Sequence, residues 1–97
     1  MEISPDKIQH IKAYFETQPV LKAYLFGSVV RNQQTKESDI DILVELDHSK
    51  RIGLKFIQMK LDLEKLLQKK VDLVSAKGLS PFIKPDIEKE KQLIYAK

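Results

Sequence analysis

The spacing of apolar residues along the chain predicts two main helices. In the first, residues 4–17, apolar side chains recur every three or four positions and so share one face. Ser4 is a suitable N-cap for this helix, and Pro5 fits its first position. The second helix, residues 54–70, has the same spacing over a longer stretch. The two apolar stripes comprise Ile8, Ile11 and Phe15 in the first helix and Leu54, Phe56, Ile57, Met59, Leu61, Leu63, Leu66 and Leu67 in the second.

Shorter apolar runs predict strands at residues 20–26, 39–46 and 71–75. In the second of these strands polar residues alternate with apolar ones, so that Asp39 and Asp41 lie on one face. The end of the chain, residues 92–96, fits either a final strand or a helix end. The remaining segments are a short helix capped by Ser28 and running to about Gln33, a polar loop at 34–38, a turn at 47–53 and one or two helical turns at 85–91.

This order of elements predicts a single domain over residues 1–97, of the α/β (α+β) class, with a small mixed β-sheet flanked by helices. The short connection between the first two strands favours antiparallel pairing. The helix between strands 39–46 and 71–75 is a crossover connection, which favours parallel pairing of those two strands.

Composition excludes several classes of function. The 97 residues include no cysteine, so a disulfide framework and a thiolate site are excluded, and a reducing, cytoplasmic location is expected. Apolar runs fall short of the roughly 18 residues of a membrane span, so no membrane partner is expected. The net charge of +3 comes from lysines spread along the chain, which argues against direct nucleic-acid binding.

Three aspartates are expected at one edge of the sheet. The predicted topology puts Asp39 and Asp41 at the start of one strand and Asp72 at the start of its parallel neighbour. Alone, each has an ordinary explanation, since a strand end can face water and an edge aspartate discourages aggregation. Together they would repel one another unless a cation is bound, and carboxylate oxygens suit a hard ion such as Mg²⁺.

The Gly27-Ser28 pair lies at the end of the neighbouring strand. Glycine lets a ligand approach the backbone closely, and amide groups at the start of a helix favour a phosphate. Arg31 could neutralise phosphate charge with a bidentate contact. Although a Gly-Ser turn alone is common, its combination with the three aspartates indicates phosphoryl or nucleotidyl transfer with two metal ions.

These residues resemble a known signature. Gly27-Ser28, ten further residues and then Asp39-Ile40-Asp41 before an apolar strand are similar to the motif of the DNA polymerase β nucleotidyltransferase superfamily. Arg31, Ser38 and the V-D-L-V run at 71–74 extend the resemblance, although many members have glycine where this chain has Asn32. The short chain resembles the minimal nucleotidyltransferase (MNT) branch, whose members commonly pair with a helical HEPN protein as toxin–antitoxin systems.

The resemblance implies a polymerase-β-like fold and an enzyme that uses ATP or another NTP. Asp39, Asp41 and Asp72 would hold two Mg²⁺ ions, with Mn²⁺ as a substitute, and Asp72 would help to activate the attacking hydroxyl. Gly27 and Ser28 would hold the triphosphate. The implied activity is transfer of AMP to a tyrosine of a HEPN toxin, which makes the chain an antitoxin and part of a hetero-oligomer. The alternatives are a catalytically silent antitoxin or nucleotide-binding subunit that acts by contact alone, and a nucleic-acid-facing accessory domain.

Overall fold

The computed structural model describes residues 3–31 and 39–97. Within these ranges the chain forms four strands, three α-helices and two 3₁₀ turns. In chain order they are α1 (Pro5–Glu16), β1 (Val20–Phe26), a 3₁₀ turn (Gly27–Val29), β2 (Ile40–Leu46), α2 (Lys55–Leu67), β3 (Val71–Ser75), a second 3₁₀ turn (Ala76–Gly78), α3 (Lys84–Glu90) and β4 (Gln92–Ala96).

The strands form one mixed sheet in the order β3-β2-β1-β4. β1 is antiparallel to both β2 and β4, whereas β3 is parallel to β2. The predicted mixed sheet and both predicted strand directions are therefore confirmed. Of the two interpretations of residues 92–96, the strand is the correct one, and it covers the edge of β1.

Helix α1 begins as the sequence predicts, with the Ser4 side chain accepting a hydrogen bond from the Lys7 amide and Pro5 in first position. The predicted end of the second helix is wrong, because α2 stops at Leu67 and not at residue 70. Gln68 adopts a left-handed conformation with φ of 54°, which ends the helix. The Lys7 ammonium group then donates a hydrogen bond to the Leu67 carbonyl at 3.3 Å.

The main core lies on the face of the sheet covered by α1 and α2. Its side chains include Ile11, Phe15, Val20, Ala23, Leu25, Ile40, Ile42, Val44, Met59, Leu63, Leu67, Val71, Leu73 and Ile94. A smaller cluster of Tyr24, Phe26, Leu43 and Ile87 lies on the opposite face, where α3 covers it. Tyr14 joins α1 to α2, because its hydroxyl donates to Asp62 at 2.6 Å.

The segment after β1 differs from the prediction. Ser28 does not cap a helix, because the 3₁₀ turn already begins at Gly27 and Phe26 is its N-cap residue. Residues 32–38 lie outside the described residues. They include the end of the predicted short helix at about Gln33, the predicted loop 34–38, and Asn32 and Ser38. In the described part of the chain, no helix is long and apolar enough to cross a membrane.

Candidate functional site

Asp41 and Asp72 lie side by side at one edge of the sheet. They are directly paired in the parallel register of β2 and β3. Their neighbours Val71 and Leu73 belong to the main core, so the alternation along β3 points Asp72 to the opposite face. Asp41 is on that same face, since Ile40 and Ile42 on either side of it also belong to the main core. The structure thus brings together two of the three predicted aspartates.

Asp39 is the residue immediately before β2, and its side chain is exposed. Its charge still reaches Asp41, whose own side chain is partly buried. Burial, and then the carboxylates of Asp72 and Asp39, raise the pKa of Asp41 to about 6, while Arg31 acts in the opposite direction. The three aspartates therefore form one group of interacting negative charges.

Gly27 closes the site on the β1 side. It follows Phe26, which is the partner of Asp41 in the antiparallel register of β1 and β2. The φ of Gly27 is +77°, a conformation that glycine adopts without strain. A Cβ added at this position would overlap the Asp41 Oδ2 atom. Glycine is thus required here both by its backbone conformation and by the contact with the carboxylate.

Glu90, at the end of α3, also reaches the Gly27 turn, and the sequence analysis did not identify it. Its Oε1 atom accepts a hydrogen bond from the Gly27 amide at 2.9 Å. Its Oε2 atom accepts one from the Arg31 guanidinium at 2.7 Å. The Gly27 amide and one Arg31 donor, both expected to face a phosphate, are therefore bonded to a carboxylate of the chain itself.

The contact of Glu90 with the Gly27 turn can be predicted only once the pairing of β1 with β4 is known. Leu25 is paired with Gln92, and continuing that antiparallel register by two residues places Glu90 opposite Gly27. Without this pairing, Glu90 is one acidic residue in a lysine- and glutamate-rich segment and has the pattern of a solvated surface.

Glu45 marks the end of the site along β2. It shares the face of Asp41, but its carboxylate accepts a hydrogen bond from the Tyr24 hydroxyl at 2.8 Å. Burial and this carboxylate raise the pKa of Tyr24 to about 12. Glu45 is therefore engaged in packing at the far end of the strand and takes no part in the aspartate group.

The aspartate group suits a hard divalent cation by its chemistry, because all of its donors are carboxylate oxygens. Burial and the neighbouring carboxylates, which raise the pKa of Asp41, outweigh the effect of Arg31, so a bound cation would favour the ionised form. Among residues 3–31 and 39–97, however, no three His, Cys, Asp or Glu side chains are grouped as a ready-made metal site. The carboxylate oxygens fit such an ion by their chemistry, but in the described part of the chain the side chains do not form a preformed metal site.

Comparisons with known proteins agree with this geometry. A family model described as polymerase beta, nucleotidyltransferase, matches residues 9–97. The Methanocaldococcus jannaschii protein MJ1379, named as a protein adenylyltransferase, is 39% identical over 89 residues, which cover 90% of this chain and 87% of the relative. The protein adenylyltransferase MntA of Thermococcus cleftensis is 36% identical over 89 residues, which cover 92% of this chain and 89% of that protein.

Solved structures agree on the fold. A minimal nucleotidyltransferase structure superposes with a TM-score of 0.78 and 29% identity over 90% of this chain and 88% of that one. A toxin–antitoxin crystal structure with AMP-PNP gives a TM-score of 0.77 at 22% identity, over 98% of this chain and 75% of that one. An MNT antitoxin in complex with tri-AMPylated Shewanella oneidensis HEPN toxin gives 0.63 at 19% identity, over 93% and 73%. The chain therefore belongs to the polymerase beta nucleotidyltransferase family, in its minimal (MNT) branch.

Proposed function

We propose that the chain transfers AMP from ATP to a tyrosine hydroxyl of a HEPN-domain partner in the cytoplasm, as the antitoxin of a toxin–antitoxin pair. The observation that carries this proposal is the register pairing of Asp41 with Asp72 beside Gly27. A binding module has no need of two adjacent carboxylates at a sheet edge, since their repulsion is costly. The similarity to protein adenylyltransferases, to a toxin–antitoxin structure with AMP-PNP and to an antitoxin in complex with an AMPylated HEPN toxin supports the choice of nucleotide and partner.

In the proposed reaction the tyrosine oxygen forms a bond to the α-phosphorus of ATP. The bond from that phosphorus to the oxygen bridging to the β-phosphate breaks, and pyrophosphate leaves. The Asp72 carboxylate accepts the proton of the hydroxyl, which its exposed position at the start of β3 permits. Ser28 and Arg31 hold the triphosphate at the end of β1.

Asp39, Asp41 and Asp72 would hold two Mg²⁺ ions, or two Mn²⁺ ions in their place. The bound ions would supply charge neutralisation at the triphosphate and polarisation of the reacting phosphate. The contribution of the chain is to keep the carboxylates of Asp41 and Asp72 adjacent through the β2–β3 register. Because the acceptor hydroxyl belongs to another protein, the active form is a hetero-oligomer in which the partner's tyrosine reaches this sheet edge.

The direct experiment combines the chain, a candidate HEPN-domain partner, Mg²⁺ and ATP labelled at the α-phosphate. We expect label on the HEPN protein, and none after a Tyr→Phe change at the modified residue. The matched control uses ATP labelled at the γ-phosphate, whose label should leave with pyrophosphate. Absence of α-label on the partner, with both proteins folded and in complex, would contradict the proposal.

A second function, neutralisation by contact alone, is favoured by one specific observation. The Glu90 carboxylate already occupies the Gly27 amide and a donor of Arg31, which would otherwise be available to a phosphate. Under this alternative, the chain would neutralise its partner fully without ATP and without labelling it. Neutralisation that depends on ATP would exclude it.

A further inference from the structure

Glu90 links the last helix to the turn that follows β1. We propose that Glu90 is a positioning residue, which holds the Gly27 turn in its nucleotide-binding shape and stays bonded to it while nucleotide is present. This inference rests on the proposed function, because it concerns the same nucleotide site. It assigns the Gly27 amide and one donor of Arg31 to Glu90, and it leaves Ser28 to face the triphosphate.

The Glu90 carboxylate holds the Gly27 turn at two points, an arrangement that we call the clamp. One carboxylate oxygen accepts from the Gly27 amide at 2.9 Å and the other from Arg31 Nη1 at 2.7 Å. The Glu90 side chain is only 23% exposed, and its hydrogen bond with the Gly27 amide is partly shielded from water, whereas its ion pair with Arg31 is exposed. The two contacts fix both ends of the segment from Gly27 to Arg31, which contains Ser28.

The position of Glu90 is determined by the sheet. Two residues after it, Gln92 pairs with Leu25 in the β1–β4 ladder, and Leu25 lies two residues before Gly27. The helix before it is anchored by Ile87, which is buried against Tyr24, Phe26 and Leu43. The backbone at Glu90 is therefore held on both sides, and its carboxylate reaches the turn without any movement of the surrounding chain.

Electrostatics favours a Glu90 carboxylate that stays bonded to the Gly27 turn over one that a bound nucleotide displaces. Bonded to Arg31, Glu90 is part of a neutral pair. A triphosphate that displaced it would leave a carboxylate unpaired next to the Gly27 turn, which already lies against the Asp41 carboxylate. Retaining the clamp avoids this additional repulsion.

The first test measures the affinity of a non-hydrolysable ATP analogue for the isolated chain by calorimetry, at a temperature where every variant is folded. Glu90→Gln keeps the size of the side chain but removes its charge and faces Arg31 with an NH₂ group. We expect the dissociation constant to rise about tenfold or more, as for loss of a hydrogen bond to a charged group.

Glu88→Gln is the matched control, because Glu88 lies in the same helix and is paired with Lys91 away from the turn. Its dissociation constant should stay within about twofold of the unmodified chain. A residue that merely stabilised the fold would lower the melting temperature without this loss of affinity. Equal or tighter binding by the Glu90→Gln chain would overturn the clamp, whereas failure of the unmodified chain to bind the analogue would overturn the proposed function instead.

A second measurement needs no substitution at Glu90. The Gly27 amide proton should resonate downfield in NMR spectra with and without the analogue, and in the bound state the Gly27 amide should show no scalar coupling to phosphorus across a hydrogen bond. A resolved coupling between the Gly27 amide and a phosphorus nucleus of the analogue would show that the triphosphate displaces Glu90 and would refute the clamp.

Discussion

The two faces of the sheet differ in the side chains that they carry. On the face under α1 and α2, the strands contribute only apolar side chains to a large buried cluster. On the other face, the cluster under α3 is small, and next to it lie Asp41 and Asp72. The first face is built from the regular apolar pattern that specifies a fold, whereas on the second face charged residues interrupt that pattern.

These departures coincide at one edge of the sheet. Two carboxylates are paired across neighbouring strands, a residue with positive φ touches one of them, and a helix end is bonded to a turn through Glu90. The first two of these features are unfavourable or neutral for folding alone. Their coincidence supports the proposal that this edge serves nucleotide binding and catalysis, while the opposite face supplies most of the buried core.

The largest effect is expected at the paired aspartates. Asp41→Asn or Asp72→Asn should lower the rate of AMP transfer on the order of a thousandfold, because each change removes a negative charge that the reaction uses. Glu45→Gln is the control on the same strand and face, and its rate should change by less than about threefold. Initial rates with saturating ATP measure both. A comparable loss at Glu45 would mean that the whole face, and not its edge, matters.

The two faces can be compared directly at adjacent residues of β2. Ile42 is fully buried in the main core and Leu43 is 1% exposed in the small cluster. Ile42→Ala should lower the free energy of unfolding by about 3–4 kcal/mol, and Leu43→Ala by about 2–3 kcal/mol, because the smaller cluster can relax toward the space left behind. Urea denaturation measures both values. A larger loss at Leu43 would reverse the assignment of stability to the first face.

Two glycines with positive φ separate backbone strain from crowding at the site. Gly53 has a φ of +47° and nothing within 4 Å of an added Cβ, whereas at Gly27 that Cβ would overlap Asp41. Gly53→Ala should cost about 1–2 kcal/mol of stability through its backbone alone. Gly27→Ala should cost about 1–3 kcal/mol more and should also abolish AMP transfer. Equal costs in thermal denaturation would mean that the Asp41 side chain simply moves aside.

The smallest effect concerns the charge of Asp41. Its pKa is raised from 3.8 to about 6, so its contribution to stability is fully present below about pH 4 and is lost as the pH rises through 6. The shift corresponds to about 3 kcal/mol, which solvent screening at this partly exposed side chain reduces to about 1 kcal/mol. Without metal, Asp41→Asn should therefore stabilise the chain by about 1 kcal/mol at pH 8 and by nothing near pH 3.5. Urea denaturation at both pH values tests this, and destabilisation at pH 8 would contradict it.

The fold was predictable where local pattern and topology agree. Alternating apolar residues at 39–46 and the apolar run at 71–75 determine which face of each strand is buried, and this places Asp41 and Asp72 together. The crossover through α2 determines that β2 and β3 run parallel. These signals are short in range or follow from chain connectivity, so the sequence alone contains them.

Other features depend on contacts that no local pattern reveals. Gln68 ends α2 in a left-handed conformation, although the lysines after it are compatible with a helix and glycine is the usual residue at such an end. Glu90 contacts the Gly27 turn only because β4 pairs with β1, and the sequence left open whether residues 92–96 form a strand. The site was thus predictable at its aspartates and not at its link to α3.

The proposed function depends most on whether the aspartate edge takes up divalent ions together with nucleotide. Calorimetric titration of Mn²⁺ into the chain, with a non-hydrolysable ATP analogue present, tests it directly. We predict saturable uptake by the unmodified chain and by Glu45→Gln, and its loss in a chain carrying both Asp41→Asn and Asp72→Asn. Equal uptake by the double variant, or no uptake beyond that of the analogue alone by the unmodified chain, would contradict it.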